Sequence, residues 1–190
     1  MFQLKHPLIL ASGSPRRKEI LNTMGLSYIV DVSDTDESYI AAPEAMVLEL
    51  SKRKALAVAA KHENSIILAA DTLVFGGNAV LGKPRNAQHA KQMLCDLSDD
   101  WHSVYTGVTI INTCSGKILS RADMTRVHFV HLSDEEIDAY VATGECNDKA
   151  GAYGIQGMGG MFIDKIEGSY SNVVGLPMAL VRNMLLEIEQ

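Results

Sequence analysis

The chain has 190 residues, 47% hydrophobic and 21% charged, with a formal net charge of -6. That length suits one domain or two intimate lobes around a sizeable core, and the composition excludes a disordered chain. The acidic balance argues against a nucleic-acid polymer as partner, and no apolar run reaches the roughly 18 to 20 residues that would span a bilayer.

Leu8 to Ala11 reads as a short buried strand, followed by Ser12-Gly13-Ser14-Pro15 and a helix of about ten residues. Ser14 is the expected N-cap, Pro15 suits the first turn, Gly25 supplies the stop, and Ile20, Leu21 and Met24 form the inward stripe. Ser27 to Val32 is the second expected strand, and it leads into an acidic loop, Asp34-Thr35-Asp36-Glu37. A longer helix is expected over 43–61. Ser65 to Phe75 is too continuously apolar for a half-exposed strand and reads as buried on both faces. Gly76-Gly77-Asn78 is a hairpin signal.

A helix is then expected from Asn86 to Leu97, and a long antiparallel pair over Val104 to Thr113 and Lys117 to Val130. Ser133-Asp134-Glu135-Glu136 is a capping box that opens a short helix ending near Gly144. The stretch Gly144 to Gly175 holds eight of the fifteen glycines, with a strand expected at Met161 to Ile166. A last helix runs from Pro177, with Val181, Met184, Leu185 and Ile188 at helical spacing. The alternation predicts an α/β fold around a mixed sheet, with residues 1–190 forming a single domain. Cys95, Cys114 and Cys146 match neither a disulfide framework nor a zinc spacing, and the early apolar stretch is too short for a secretory signal, so a cytoplasmic location is expected.

Several residues are candidates for chemistry. Small residues at Ser12 to Ser14 let the backbone approach an anion at a helix start, and Arg16 and Arg17 offer guanidinium donors to phosphate. An ordinary capped helix with solvated arginines fits the same pattern. Met46, Val47, Leu50, Ala57 and Val58 form one stripe of the second helix, and Lys54 falls inside it, whereas Lys52 and Arg53 lie outside. An inward lysine must snorkel or find an anionic partner. Asp71 interrupts the apolar run at 66–75, and a strand-borne carboxylate there is costly unless paired, hydrogen-bonded or bound to metal.

Lys83 follows the next turn and is close enough in the chain to return towards Asp71, although turn lysines usually face solvent. Asp36 and Glu37 form an acidic loop pair able to share a hard divalent cation, or simply to be solvated. Ala150 to Gly157 places glycine turns around Tyr153 and Gln156, a loop that would stack on a base and read its edge, or serve as a plain connection. Together, arginines, an inward lysine, a strand aspartate and a turn lysine are what a polyphosphate–metal site requires, with Mg²⁺ or Mn²⁺ as cofactor. The six histidines are scattered without ligand spacing.

The segments Leu10-Ala-Ser-Gly-Ser-Pro-Arg-Arg17, Asp36-Glu37, Lys52-Arg-Lys-Ala55, Ala70-Asp-Thr-Leu-Val74, Gly82-Lys-Pro-Arg85, Tyr105-Thr-Gly107, Lys149 to Gly157 and Val174-Gly-Leu-Pro177 occur in this order along the chain. In this the chain resembles the Maf family of nucleoside triphosphate pyrophosphatases, also called septum-formation-inhibitor-like proteins. The resemblance implies an elongated, two-lobed α/β architecture with a nucleotide cleft, and hydrolysis of the α–β phosphate linkage. It implies Asp71 as proton acceptor, helped by a divalent cation, with residues Ser12, Arg17, Glu37, Lys54, Lys83 and Gln156 lining the site. In this light Glu37 is read as a metal ligand, Asp71 as touching either the metal or only the water, and Ser12, Arg16, Arg17, Lys54 and Lys83 as the phosphate-binding set. The branch selective for dTTP and UTP has arginine after Ser-Pro, threonine after the catalytic aspartate and glutamine in the glycine loop, matched here by Arg16, Thr72 and Gln156. The branch acting on 7-methyl-GTP resembles Ser-Pro-Trp, Ser-Asp-Gln and a loop glutamate, none of which occurs in this chain. Two other readings stand beside it: a nucleotide-binding regulator of cell division, and a pyrophosphatase for other non-standard nucleotides such as inosine triphosphate. The resemblance is also compatible with a homodimer.

Overall fold

A computed structural model describes residues 4–32, 35, 38 and 41–190. The elements, in chain order, are β1 (Leu8–Leu10), α1 (Pro15–Thr23), β2 (Ile29–Val30), α2 (Pro43–Ala59), β3 (Ile66–Gly76), β4 (Ala79–Leu81), α3 (Ala87–Leu97), β5 (Trp101–Asn112), β6 (Ile118–Phe129), α4 (Asp134–Ala142), β7 (Ile163–Glu167), α5 (Tyr170–Val174) and α6 (Met178–Ile188). Three short 3-10 turns, Glu145–Asp148, Ala150–Ala152 and Met158–Phe162, fill the glycine-rich stretch. The strands form one sheet in the order β2-β1-β3-β5-β6-β7, with β4 paired to β3. Strands β1 and β2 run parallel, as do β1 and β3, while β3–β4 and β6–β7 are antiparallel. The fold is therefore α/β with a mixed sheet, as expected.

The chain divides into two compact units. The first comprises Met1–Asp71, Thr106–Asp123 and Gly175–Gln190. Its core joins Ile9, Ala11, Ala55, Val58, Ile67, Ala69 and Ile111. The register Leu8↔Ile66 to Leu10↔Leu68 puts apolar side chains of β1 and β3 side by side, and both strands are buried throughout this span. Helix α2 lies very close to β5, because a Cβ on Gly107 would sit 2.2 Å from the Val47 carbonyl oxygen. Only glycine allows that approach. Helix α6 buries Val181, Met184, Leu185 and Ile188, the predicted stripe, and Lys117 and Arg121 of this unit bind Glu187 near its end.

The second unit comprises Thr72–Tyr105 and Met124–Val174. Its core gathers Val74, Met93, Leu94, Leu97, Phe129, Ile137, Tyr140, Tyr153 and Phe162 with smaller neighbours. Gly77 and Asn78 have φ of 57° and 69°, which makes the β3–β4 connection the tight hairpin expected from its sequence. Helix α4 carries both capping-box bonds, Glu136 N to Ser133 Oγ at 3.3 Å and Ser133 N to Glu136 Oε2 at 2.8 Å.

Several expectations need correction. Ser14 occupies the N-cap position of α1, but its side chain makes no capping bond; the Ser14 amide instead donates to Ser12 Oγ at 3.3 Å. Strand β2 is only Ile29–Val30, both exposed, because among the described residues it pairs with β1 alone. Strand β7 starts at Ile163, since Met158–Phe162 winds into a 3-10 turn that Gly159 and Gly160 make possible. Helix α5 was not expected, and five residues are too few to show a helical period.

Candidate functional site

In the first unit, β1 ends at Leu10, which is paired with Leu68 of the parallel β3. Ala11 N still donates to Leu68 O at 2.8 Å. Ser12 therefore leaves β1, and Asp71 stands on β3, both beyond the carboxyl end of the paired segment. The carboxyl end of parallel strands is where open α/β sheets bind their ligands.

The loop after β1 is held from inside. Ser12 is 7% exposed, and its Oγ accepts from Ser14 N and from Arg17 Nη1, the latter at 3.0 Å. Arg17 Nε donates at 3.0 Å to the carbonyl of Gly175, so one guanidinium links the loop to the segment that opens α6. This gives the Val174 to Pro177 motif a physical task, which was not visible in the sequence. Arg16 is half-buried in the first turn of α1.

Lys54 projects from α2 and pairs with Asp71, Nζ to Oδ1 at 2.6 Å, with both side chains 14% exposed. The inward lysine and the strand aspartate, read separately in the sequence, thus meet each other. Asp71 itself is half-buried, less enclosed than a position inside so apolar a strand suggested. Lys52 is exposed, and Arg53 turns along the helix to Glu49 at 2.8 Å, as the stripe predicted. The stripe differs in detail: Val47, Leu50 and Val58 are buried, but Ser51 and Ala55 take the places expected of Met46 and Ala57. Ser51 is tolerated there because its hydroxyl joins Thr109, which in turn joins Ser120, at 2.9 and 2.7 Å.

Glu37 and Asp36, the expected acidic pair, lie outside the described residues. Among the described residues no three His, Cys, Asp or Glu side chains form a group able to enclose a metal ion. The donor chemistry of Asp71 nevertheless fits Mg²⁺ or Mn²⁺. It is a hard carboxylate on a partly open strand position, and such ions are commonly held by one or two carboxylates, with water and substrate phosphates completing the shell.

The second unit holds Thr72, Lys83 and Gln156. Thr72 is half-buried on β3, and Lys83 is exposed after β4. Gly151 N donates to Gly82 O at 3.1 Å, which fastens the Lys83 turn to the glycine-rich stretch. Gln156 is exposed in that stretch. Tyr153 is not available to stack on a base, one of the two roles the sequence left open for this loop. It is 5% exposed, packs edge-on against Phe129 and His102, and its hydroxyl lies 2.7 Å from His102 Nε2. Burial drives the tyrosine pKa up and the His102 pKa down to about 4, so the pair is a neutral core contact.

The sequence reading also missed Glu145, whose carboxylate receives the backbone amides of Met158 and Gly159 at 2.9 and 3.1 Å. The available signal was an acid just after Gly144 and before a run of glycines, which is weak on its own.

Comparison with known proteins places this geometry in context. The family model described as Maf-like protein matches residues 7–188. A dTTP/UTP pyrophosphatase of Halalkalibacterium halodurans is 48% identical over 175 residues, covering 91% of each chain. One of Bacillus cytotoxicus is 49% identical over 179 residues, covering 93% of each chain. One of Desulfotalea psychrophila is 46% identical over 190 residues, covering 98% of this chain and 96% of its own. With the match running through β1, the Lys54–Asp71 strand and helix pair, the glycine-rich stretch and α6, this chain belongs to the Maf family.

Proposed function

We propose that this protein hydrolyses dTTP and UTP to the monophosphate and pyrophosphate, with a divalent cation. The observation that carries the reading is the Lys54–Asp71 pair at 2.6 Å beyond the carboxyl end of the β1–β3 segment, where Ser12 and Arg17 form a cationic loop. The names of the similar proteins support the substrate class.

In this reading Asp71 accepts the proton of a water that adds to phosphorus at the α–β linkage, while the bridging oxygen leaves with pyrophosphate. Lys54 orients the carboxylate by holding Oδ1, so the second oxygen can be directed at the water. Arg16, Arg17 and Lys83 offset the negative charge of the triphosphate, and Arg17 is positioned by Ser12 and Gly175. A bound Mg²⁺ or Mn²⁺, held by Asp71 and Glu37, would polarise the phosphoryl group. Gln156 would read the base, since an amide both donates and accepts, as the edges of thymine and uracil require. Thr72 and Arg16 complete the pyrimidine-selective pattern.

A cytoplasmic location and association into a homodimer belong to the same reading. The free cysteines support the location. No described helix is long and apolar enough to cross a membrane. Size-exclusion chromatography with light scattering decides the association.

The test is pyrophosphate release from a panel of triphosphates with Mg²⁺ or Mn²⁺, for wild type and Asp71→Asn. Asparagine keeps an oxygen for Lys54 but cannot take a proton, so turnover is expected to fall about 100- to 10,000-fold with the fold retained. Undiminished turnover in the variant would remove Asp71 from the mechanism, and no wild-type preference for dTTP and UTP would remove the substrate assignment.

A further inference from the structure

The stretch that carries Gln156 is short of apolar anchors. Between Gly154 and Gly160, Gln156, Gly157 and Met158 are exposed and only Gly159 is buried. Its shape depends on polar bonds: within the turn Gly157 N donates to Gly154 O at 3.2 Å and Gly160 N to Gly157 O at 3.1 Å, and two side chains of the same unit tie the turn to its surroundings. Tyr140, at the end of α4, donates its hydroxyl to Glu145 Oε1 at 3.0 Å, and the same hydroxyl accepts from Gly154 N at 3.3 Å. Glu145 then accepts from Met158 N through Oε2 at 2.9 Å and from Gly159 N through Oε1 at 3.1 Å. One phenol holds the start of the Gln156 turn and one carboxylate holds its end.

The fit is tight. A Cβ on Gly157 would lie 2.4 Å from Glu145 Oε2, and one on Gly159 would lie 2.8 Å from the Tyr140 oxygen. Two glycines therefore exist where these side chains press against the backbone. Burial opposes the Glu145 charge, but the amides of Met158 and Gly159 outweigh it and hold the carboxyl below its ordinary value. Tyr140 is pushed the opposite way by burial and by Glu145 itself, so the hydroxyl stays protonated and donates. Lys149 adds a further tie, Nζ to the Glu145 carbonyl at 2.6 Å, fixing the backbone from which the carboxylate extends.

We infer that Glu145 is a positioning residue for base recognition, holding the Gly154–Gly159 turn so that Gln156 presents its amide in one orientation. The inference rests on the reading of Gln156 given above. Its consequence is selective: loosening the turn weakens pyrimidine discrimination without disturbing the proton transfer assigned to Asp71. Preorganised recognition of this kind is lost as binding, because the ordering must then be done by the ligand.

The experiment compares wild type, Glu145→Ala, Glu145→Gln, Tyr140→Phe and Gln156→Ala in steady-state hydrolysis of dTTP, UTP and dGTP, with amide hydrogen exchange followed by NMR. Glu145→Ala is expected to raise KM for dTTP and UTP about tenfold with a much smaller change in kcat, and to lower the dTTP-over-dGTP ratio by a similar factor. Exchange at Gly159 N accelerates at least tenfold in the same variant. Glu145→Gln restores most of the discrimination, because its amide oxygen still accepts from Tyr140 and Gly159. Tyr140→Phe keeps the ring against Phe162, loses the grip on Gly154 and gives a milder form of the same effect, which keeps the test valid should Glu145→Ala fold poorly. Adding Glu145→Ala to Gln156→Ala produces no further loss of discrimination. Equal losses for all three triphosphates, an additive double variant, or unchanged Gly159 exchange each overturn the inference. A wild type without pyrimidine preference overturns the substrate reading instead, and Gly159 exchange then decides alone whether Glu145 holds the turn.

Discussion

Replacing Gly107 by alanine places a methyl carbon 2.2 Å from the Val47 carbonyl oxygen and 2.4 Å from its carbon. These are backbone atoms of α2, so no side-chain rotation relieves the contact. Gly107 does not have a left-handed φ, and the effect is therefore one of space alone. Restoring even a tight 3.0 Å separation moves helix and strand apart by about 0.8 Å. Overpacking of this kind costs about 1–3 kcal/mol, and a contact with backbone belongs at the upper end. Against a total stability of about 5–15 kcal/mol, that is a large fraction. Helix α2 also carries Lys54, whose bond to Asp71 is now 2.6 Å long. A displacement approaching 1 Å takes that pair to or beyond the limit of a good hydrogen bond at about 3.2 Å. Misplacement on that scale can reduce turnover by up to about 100-fold. Urea unfolding followed by circular dichroism, together with pyrophosphate release at saturating dTTP, measures both effects. The expected result is a lower midpoint at unchanged slope and a tenfold or greater loss of kcat. A variant with wild-type midpoint and wild-type kcat would refute the packing argument and, with it, the dependence of Asp71 on the placement of α2.

Arg17→Lys leaves one ammonium where a guanidinium now reaches both Ser12 Oγ and Gly175 O. It is expected to lower stability by about 1–2 kcal/mol in denaturant titration and to raise KM for dTTP, and a variant unchanged in both would detach Arg17 from the site. His102 gives a pH dependence with a defined sign. Burial pushes its folded pKa down from the ordinary 6.5 to about 4, so the unfolded chain binds more protons between those values and stability is lost as pH falls through them. The contribution is complete above pH 6.5 and reaches about 3 kcal/mol at most, so His102→Gln should lose less stability than wild type between pH 6.5 and 4. Parallel stability curves for the two proteins over that range would show that His102 is not held neutral by burial.

Much of this protein follows from local pattern. The continuous apolar run of β3, the Gly77–Asn78 hairpin, the Ser133–Glu136 capping box and the stripe of α6 each involve residues close in the chain, and each forms as its spacing requires. The departure of Lys54 and Asp71 from apolar surroundings is legible for the same reason: a charge in a buried stripe or strand is costly enough to stand out in one dimension. What the pattern does not contain is the partner. Lys54 finds Asp71, Arg17 finds Gly175 from across nearly the whole chain, and Glu145 finds amides beyond an intervening turn. Tyr153, for which local composition left base stacking and a structural turn equally open, turns inward because His102 and Phe129 supply an apolar, hydrogen-bonding niche contributed by β5 and β6. Short-range periodicity and the cost of desolvating a charge make legible, before any fold is known, which groups could not stay unpartnered and which segments become strands or helices. Which groups meet is settled in three dimensions, by sheet register and helix placement between residues distant in the chain.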